Sequence, residues 1–114
     1  MKIAVIGSRN FTNDKLMDSE LKKYKSKAKL IISGGAKGAD SLAEKWAIKN
    51  NVLTKIFRPD VANFAGGAYF ERNKAMVNEC ELLIAFWDGK SKGTKFTVDF
   101  ARSNKKRLVL IIVD

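Results

Sequence analysis

Residues 30–50 read LIISGGAKGADSLAEKWAIKN, and this stretch decides the fold class. Leu30 to Ile32 is a short, wholly apolar run of the kind found in a strand covered on both faces. It breaks at Gly34-Gly35, and from about Asp40 to Asn50 the residues Leu42, Ala43, Trp46 and Ala47 recur at helical spacing. Toward the N-terminus, Lys2 to Ile6 (KIAVI) is a second such strand ending at Gly7. Thr12 and Asn13 are N-cap residues for a helix running to about Lys27, with Leu16, Met17, Leu21 and Tyr24 inward. Toward the C-terminus the reading predicts a strand over Val52 to Phe57, stopped by Pro59, and a turn-rich loop to Gly67. A helix over Ala68 to Glu79, a strand over Leu82 to Phe86, a helix over Thr94 to Asn104 and a strand over Arg107 to Val113 follow. Strands alternate strictly with helices, and the crossovers are too long for hairpins. The expectation is an α/β three-layer sandwich, a central parallel sheet of about five strands with helices on both faces, in one domain over residues 1–114.

Composition narrows the function classes. The chain has 114 residues, 46% of them hydrophobic, which suffices for a core and excludes a disordered basic tail. Its 22 Lys+Arg against 12 Asp+Glu give a net charge of +10, which favours an anionic partner. There is no histidine, so Ser-His-Asp and Cys-His catalysis and His-ligated metals are excluded. The single cysteine, Cys80, excludes an internal disulfide and a thiolate zinc site and reads as a small buried residue. No metal and no cofactor are therefore expected. The apolar runs fall far short of the ~20 residues that span a bilayer, and Met1-Lys2 runs straight into a strand without a cleavage site. A cytoplasmic protein with no membrane association is expected.

In such a sheet, ligands bind beyond the C-terminal ends of the strands. The connections there are GSRNF (7–11), SGGAKGAD (33–40), the loop from Arg58, and WDGKSKGT (87–94), and all eight glycines fall in connections at this edge. Gly34, Gly35 and Gly38, with Ala36 between, let backbone amides approach a phosphate at a helix N-terminus. Ser33 adds a hydroxyl and Lys37 a charge; a tight strand-to-helix turn is the plain alternative. Asp88 either shapes a turn with Gly89 or accepts from ribose hydroxyls, while Ser91, Gly93 and Thr94 offer a helix cap or phosphate donors. Arg9, Arg58 and Arg72 lie at this edge, whereas Arg102 and Arg107 do not, and arginine suits bidentate phosphate recognition. Arg72 stands with Tyr69 and Met76 at i, i+3 and i+7 spacing, with Asn73 beside it. Trp46 has core spacing; Trp87 either stacks on a base or covers the core. The run Lys22, Lys23, Lys25, Lys27 and Lys29 solvates a helix end at the opposite edge.

Taken together, GSRNF, SGGAKGADSLAEKWA (33–47), ERNKAM (71–76), AFWDGKSKGT (85–94) and TVDFA (97–101) resemble the small SLOG proteins of the Smf/DprA-LOG superfamily, in particular the YspA-like branch. The resemblance implies a Rossmann-like fold, a nucleotide-related ligand at the glycine-rich edge, and frequent homo-oligomers. The ligand-binding set it suggests is Gly7, Ser8, Arg9, Ser33 to Gly38, Asp40, Arg72, Asn73, Trp87, Asp88, Ser91, Gly93 and Thr94. Among relatives, the LOG phosphoribohydrolases have an arginine helix similar to ERNKAM, which places Arg72 on their functional arginine. Their Pro-Gly-Gly-x-Gly-Thr motif aligns with Gly93 and Thr94, but Phe96 and Thr97 occupy the positions of their glutamates. Asp99 is offset by half a turn or more and faces elsewhere, leaving Asp88 and Glu71 as substitute acids beside Arg72. DNA-processing protein A has loops similar to Gly7-Ser8-Arg9 and Ser33 to Asp40, and it binds single-stranded DNA. The leading expectation is a sensor or sequestering module for an ADP-ribose-like, cyclic or linear nucleotide. N-glycosidic hydrolysis and single-stranded DNA binding are the alternatives.

Overall fold

Five strands form one sheet in the order β3-β2-β1-β4-β5 in the computed structural model, which describes residues 1–113, Phe64 by its backbone only. They are β1 (Lys2–Gly7), β2 (Leu30–Ser33), β3 (Leu53–Ile56), β4 (Leu82–Trp87) and β5 (Arg107–Ile112), and every pairing is parallel. The helices are α1 (Asp14–Leu21), α2 (Ala39–Lys49), α3 (Val61–Phe64), α4 (Ala68–Glu79) and α5 (Lys92–Ser103).

The strand alternation sorts the core into two layers. Ile3, Val5, Leu82, Ile84 and Phe86 pack with Met17 of α1 and Ala43, Trp46 and Ala47 of α2. Ala4, Ile6, Leu83 and Ala85 face the other way, toward Met76 and Val77 of α4 and Val98 and Ala101 of α5. Both faces of β1 and β4 are thus covered, which is why Ile3 to Ile6 and Leu82 to Trp87 run apolar without alternation. Trp46 is core, as its spacing implies, and its indole N–H donates to Asp18 Oδ1 at 3.0 Å, tying α2 to α1. Cys80 is buried.

Four expectations about the elements change. The first helix ends at Leu21, not Lys27, and tightens into a 3₁₀ turn over Lys22–Tyr24. The Tyr24 carbonyl then accepts the amides of both Lys27 and Ala28, at 2.9 and 2.7 Å, turning the chain back toward β2. Strand β3 is shorter than Val52 to Phe57 and exposed, with Leu53 at 74%, because it is an edge strand that the helices cover only in part. The segment read as loop holds α3, whose N-cap Asp60 accepts the Asn63 amide at 3.2 Å, followed by a 3₁₀ turn over Ala65–Gly67. Helix α5 starts at Lys92, two residues before Thr94, because Ser91 is its cap and accepts the Thr94 amide at 3.4 Å.

Two glycines bring the binding-edge loops into backbone contact. A Cβ on Gly7 would lie 2.5 Å from the Phe86 carbonyl oxygen and 2.7 Å from Ala39 Cβ. Gly38 has φ 77° and sits against the Ser8 carbonyl. That carbonyl accepts the Ala39 amide at the start of α2 at 3.3 Å, while the Ser8 amide donates to the Phe86 carbonyl at 3.1 Å. The ends of β1 and β4 and the N-terminus of α2 are thereby locked together.

Candidate functional site

The strand order reverses between β1 and β4, so the connections leaving them diverge to opposite faces and open a crevice. A cleft of about 430 Å³ lies there, lined from Ile6 to Asn10, by Ala36 and Asp40, by Tyr69, Phe70, Arg72, Asn73 and Met76 of α4, and by Asp88 and the first turns of α5.

A side-chain hydrogen bond also spans the switch point: Ser8 Oγ donates to Asp88 Oδ2 at 3.1 Å. The other Asp88 oxygen accepts the amides of Lys90 and Ser91, both at 2.8 Å, in an Asx turn that Gly89 completes with φ 79°. These bonds, the Ser91 amide foremost, then the Lys90 amide and to a lesser degree the Ser8 hydroxyl, hold the Asp88 carboxyl below the ordinary carboxylate range. Asp88 is therefore a fixed acceptor and a poor proton donor. Because its folded-state pKa is depressed, its contribution to stability is complete above the unfolded value and disappears as pH falls through the folded one. Asp88→Asn is accordingly expected to be less stable than wild type at pH 7, with the gap closing below about pH 3.9. Urea unfolding at several pH values checks this, and a gap that stays constant into acid contradicts it.

Arg72 is half-buried and committed on one side. Its Nη1 donates to the carbonyls of Gly34 at 2.7 Å and Phe57 at 3.3 Å, and its Nε donates to Asn73 Oδ1 at 2.7 Å. Asn73 donates in turn to Thr97 Oγ1 at 2.9 Å, and Thr97 donates to the Gly93 carbonyl at 2.9 Å. A chain of bonds thus runs from the β2–α2 loop through α4 to the start of α5. Burial lowers the guanidinium pKa and the Asp40 charge opposes that shift; arginine stays charged regardless.

The β2–α2 loop departs from the expected phosphate cradle. Its Gly34 and Ala36 amides both donate to Asp40 Oδ2, each at 3.2 Å. A carboxylate of the chain itself occupies the seat that the glycines suggested for a ligand. Burial pushes the Asp40 pKa up, against the pull of the Ala36 amide, the Arg72 charge and the Gly34 amide. Ser33 is wholly buried and donates its hydroxyl to Glu44 on α2. Lys37 is exposed, and neither it nor Gly34, Gly35 or Gly38 lines the cleft. Arg58 lies behind the loop, 2.8 Å from where a Gly35 Cβ would stand. Trp87 also lies outside the cleft lining and braces the next loop, its indole N–H donating to the Ser91 carbonyl at 3.0 Å.

The remaining candidates converge. Gly7, Ser8, Arg9, Ala36, Asp40, Arg72, Asn73, Asp88, Ser91, Gly93 and Thr94 all line the cleft. Arg9 and Arg72 flank the Tyr69 ring, with guanidinium carbons 6.0 and 5.6 Å from its centroid. Among the described residues, neither arginine forms an ion pair with a carboxylate. Open space lies over Gly93, where a Cβ would meet nothing within 4 Å. Reading the sequence as a binding edge did not single out Asn10, Phe70 or Thr97, which also line the cleft; Thr97 was noticed only for the glutamate it replaces. Phe96 packs on Phe70 at 4.6 Å between ring centroids and on Phe100 at 6.4 Å. Of the substitute acids, Glu71 lies outside the lining and pairs with Lys74 at 2.9 Å; Asp99, set aside as facing elsewhere, is also outside it and held by Lys95 at 2.7 Å. Among the described residues no helix is long and apolar enough to cross a membrane.

Comparison with known proteins agrees with this architecture. The family model described as "YspA, cpYpsA-related SLOG family" matches residues 1–64. DNA processing protein A from Streptococcus pneumoniae superposes with a TM-score of 0.82 at 20% identity over 99% of this chain and 50% of its own. DNA processing protein A from Helicobacter pylori, whose structure was described for its single-stranded DNA binding mode, gives 0.78 at 20% identity over 100% of this chain and 66% of its own. The chain thus spans half to two thirds of the length of these two proteins. A structural-genomics target, TM1055, gives 0.71 at 18% identity over 94% of this chain and 71% of its own. At these identities the likeness is one of fold. No curated protein sequence matches the chain.

Proposed function

The chain belongs to the YspA, cpYpsA-related SLOG family, and from that premise we propose that it binds a nucleotide-derived ligand, ADP-ribose-like, cyclic or linear, in the switch-point cleft, as a sensor or sequestering module. The observation that carries this reading is the convergence of two guanidinium groups, without carboxylate partners among the described residues, on the cleft at the start of α5. Arg9 is the freer of the two, since Arg72 already holds two backbone carbonyls. The ligand's phosphate would sit between Arg9 and the first turn of α5, where amides lack intrahelical acceptors and the space over Gly93 is open. Ser8, Ser91, Thr94 and Asn73 would supply hydroxyl and amide partners for phosphate or sugar. The geometry favours binding over N-glycosidic hydrolysis: Glu71 is out of reach, Asp88 is held ionised, and Phe96 and Thr97 serve packing and bracing.

A thermal-shift panel of nucleoside mono- and diphosphates, cyclic and linear dinucleotides and ADP-ribose tests this. At a hundredfold excess over its Kd a cognate ligand stabilises the fold by about 2.7 kcal/mol, several degrees for a domain of this size. A panel in which nothing raises Tm overturns the reading.

Single-stranded DNA binding has one observation in its favour. Tyr69 and Phe70 line the cleft at 48% and 42% exposure beside the two arginines, an arrangement suited to stacking bases. Oligonucleotide affinity that falls steeply with salt supports that reading, and affinity flat between low and physiological salt removes it.

A further inference from the structure

Asp40 occupies the glycine loop from within the chain. Its carboxylate reaches back from the first turn of α2 and takes both the Gly34 and Ala36 amides on Oδ2. The seat is shaped for this. A Cβ on Gly34 would lie 2.9 Å from that oxygen and 2.5 Å from Arg72 Nη1. Asp40 is 7% exposed and lines the cleft, and Oδ1 has no hydrogen-bond partner among the described residues while not being sealed from solvent. The loop thus shows the cleft a fixed anion with a vacant acceptor, backed by the Arg72 guanidinium that the same loop holds through the Gly34 carbonyl.

We infer that Asp40 is a specificity residue: it excludes phosphate from the Gly34–Gly38 loop and receives there a hydrogen-bond donor, a sugar hydroxyl or amine, from a ligand whose phosphate lies at the Arg9 and α5 side. A second phosphate in the loop would have to displace a carboxylate already held by two amides, and would meet like charge. A neutral hydroxyl would find an acceptor whose second oxygen is already fixed in place. The inference rests on the reading of the cleft as a nucleotide site for its sugar half, but its exclusion of phosphate stands without that reading.

Two measurements separate these parts. Backbone amide NMR of the wild-type chain titrated with inorganic phosphate is expected to shift Arg9 and Gly93 to Lys95 and to leave Gly34 and Ala36 unmoved. Saturable shifts at Gly34 and Ala36 overturn the inference. In the second, Asp40→Asn retains an acceptor for the two amides and removes the charge. It is expected to gain shifts at Gly34 and Ala36 with phosphate, and to bind pyrophosphate at least tenfold more tightly than wild type. Equal pyrophosphate affinity in a folded Asp40→Asn protein overturns it. If a nucleotide binds wild type, its 2′,3′-dideoxy analogue is expected to bind tenfold more weakly, a difference that vanishes in Asp40→Asn; a difference unchanged in the variant removes the sugar half. Should no nucleotide bind, the proposed function fails while the wild-type phosphate titration still decides the role of Asp40.

Discussion

Gly38→Ala is expected to destabilise the protein by about 3–5 kcal/mol, enough to unfold many domains of this size at 37 °C. Gly38 has φ 77° and ψ −126°, a region that L-residues essentially avoid. The backbone strain alone costs on the order of 1–3 kcal/mol. A Cβ there would also lie 2.6 Å from the carbonyl carbon and oxygen of Arg9 and closer still to the Ser8 oxygen. Those are backbone atoms of the loop that carries Arg9, so no side chain can swing aside, and overpacking adds roughly 1–3 kcal/mol. Gly93→Ala is the contrast. It lies inside α5, has no positive φ, and would place its Cβ in open space. Alanine there should be neutral or stabilise by up to about 1 kcal/mol through helix propensity. Urea denaturation followed by circular dichroism checks both variants. A Gly38→Ala protein as stable as wild type contradicts the interlocked loops.

The second large effect is on binding. Arg9→Gln is expected to weaken the affinity for a phosphorylated ligand about 10- to 100-fold while leaving the melting temperature of the free protein within a degree or two. A charge-assisted hydrogen bond is worth roughly 1.5–3 kcal/mol, and each 1.4 kcal/mol is tenfold in Kd. Arg9 is exposed and makes no side-chain hydrogen bond among the described residues, its guanidinium standing by the Tyr69 ring, so its loss removes little from the fold. Arg72→Ala behaves differently. It strips donors from the Gly34 and Phe57 carbonyls and from Asn73, so stability and affinity fall together. Comparing the two variants separates an arginine that contacts the ligand from one that also assembles the site.

The sheet was legible because its signal is local. Ile3 to Ile6 and Leu82 to Phe86 are apolar throughout, as suits strands covered on both faces, and both lie in the interior of the sheet. The edge strand β3 was legible as a strand but not as an edge, since Leu53 looks like a core residue although the fold leaves it 74% exposed. Much of the site was legible for a similar reason. Arg9, Arg72, Asp88 and Thr94 are chemically distinctive, and the alternation of strands and helices sends their loops to one edge. What one dimension conceals is how the groups in those loops satisfy one another. Gly34, Gly35 and Gly38 read as an anion cradle, and the fold does place a carboxylate there, but the carboxylate is Asp40. Ser33 read as a ligand donor, yet its partner Glu44 lies across the loop on the next helix. Gly7 and Gly38 read as ligand glycines, whereas their missing side chains make room for Ala39 and for the backbone at Ser8 and Phe86.

The positive charge takes on a narrower meaning in the same way. Of the 22 basic residues, only Arg9 and Arg72 line the cleft. The lysines of the α1 end lie exposed at the opposite edge of the sheet. On the proposed function, an anionic ligand would be selected by these two guanidinium groups and the start of α5 rather than by net charge.

The central claim is that the cleft between β1 and β4 holds a nucleotide phosphate through Arg9. Isothermal titration calorimetry tests it most directly, with the nucleotide that gives the largest thermal shift titrated into wild type and Arg9→Gln under identical salt. One site per chain is expected in wild type, with a Kd at least tenfold weaker in the variant. Equal affinity in the two proteins would contradict it.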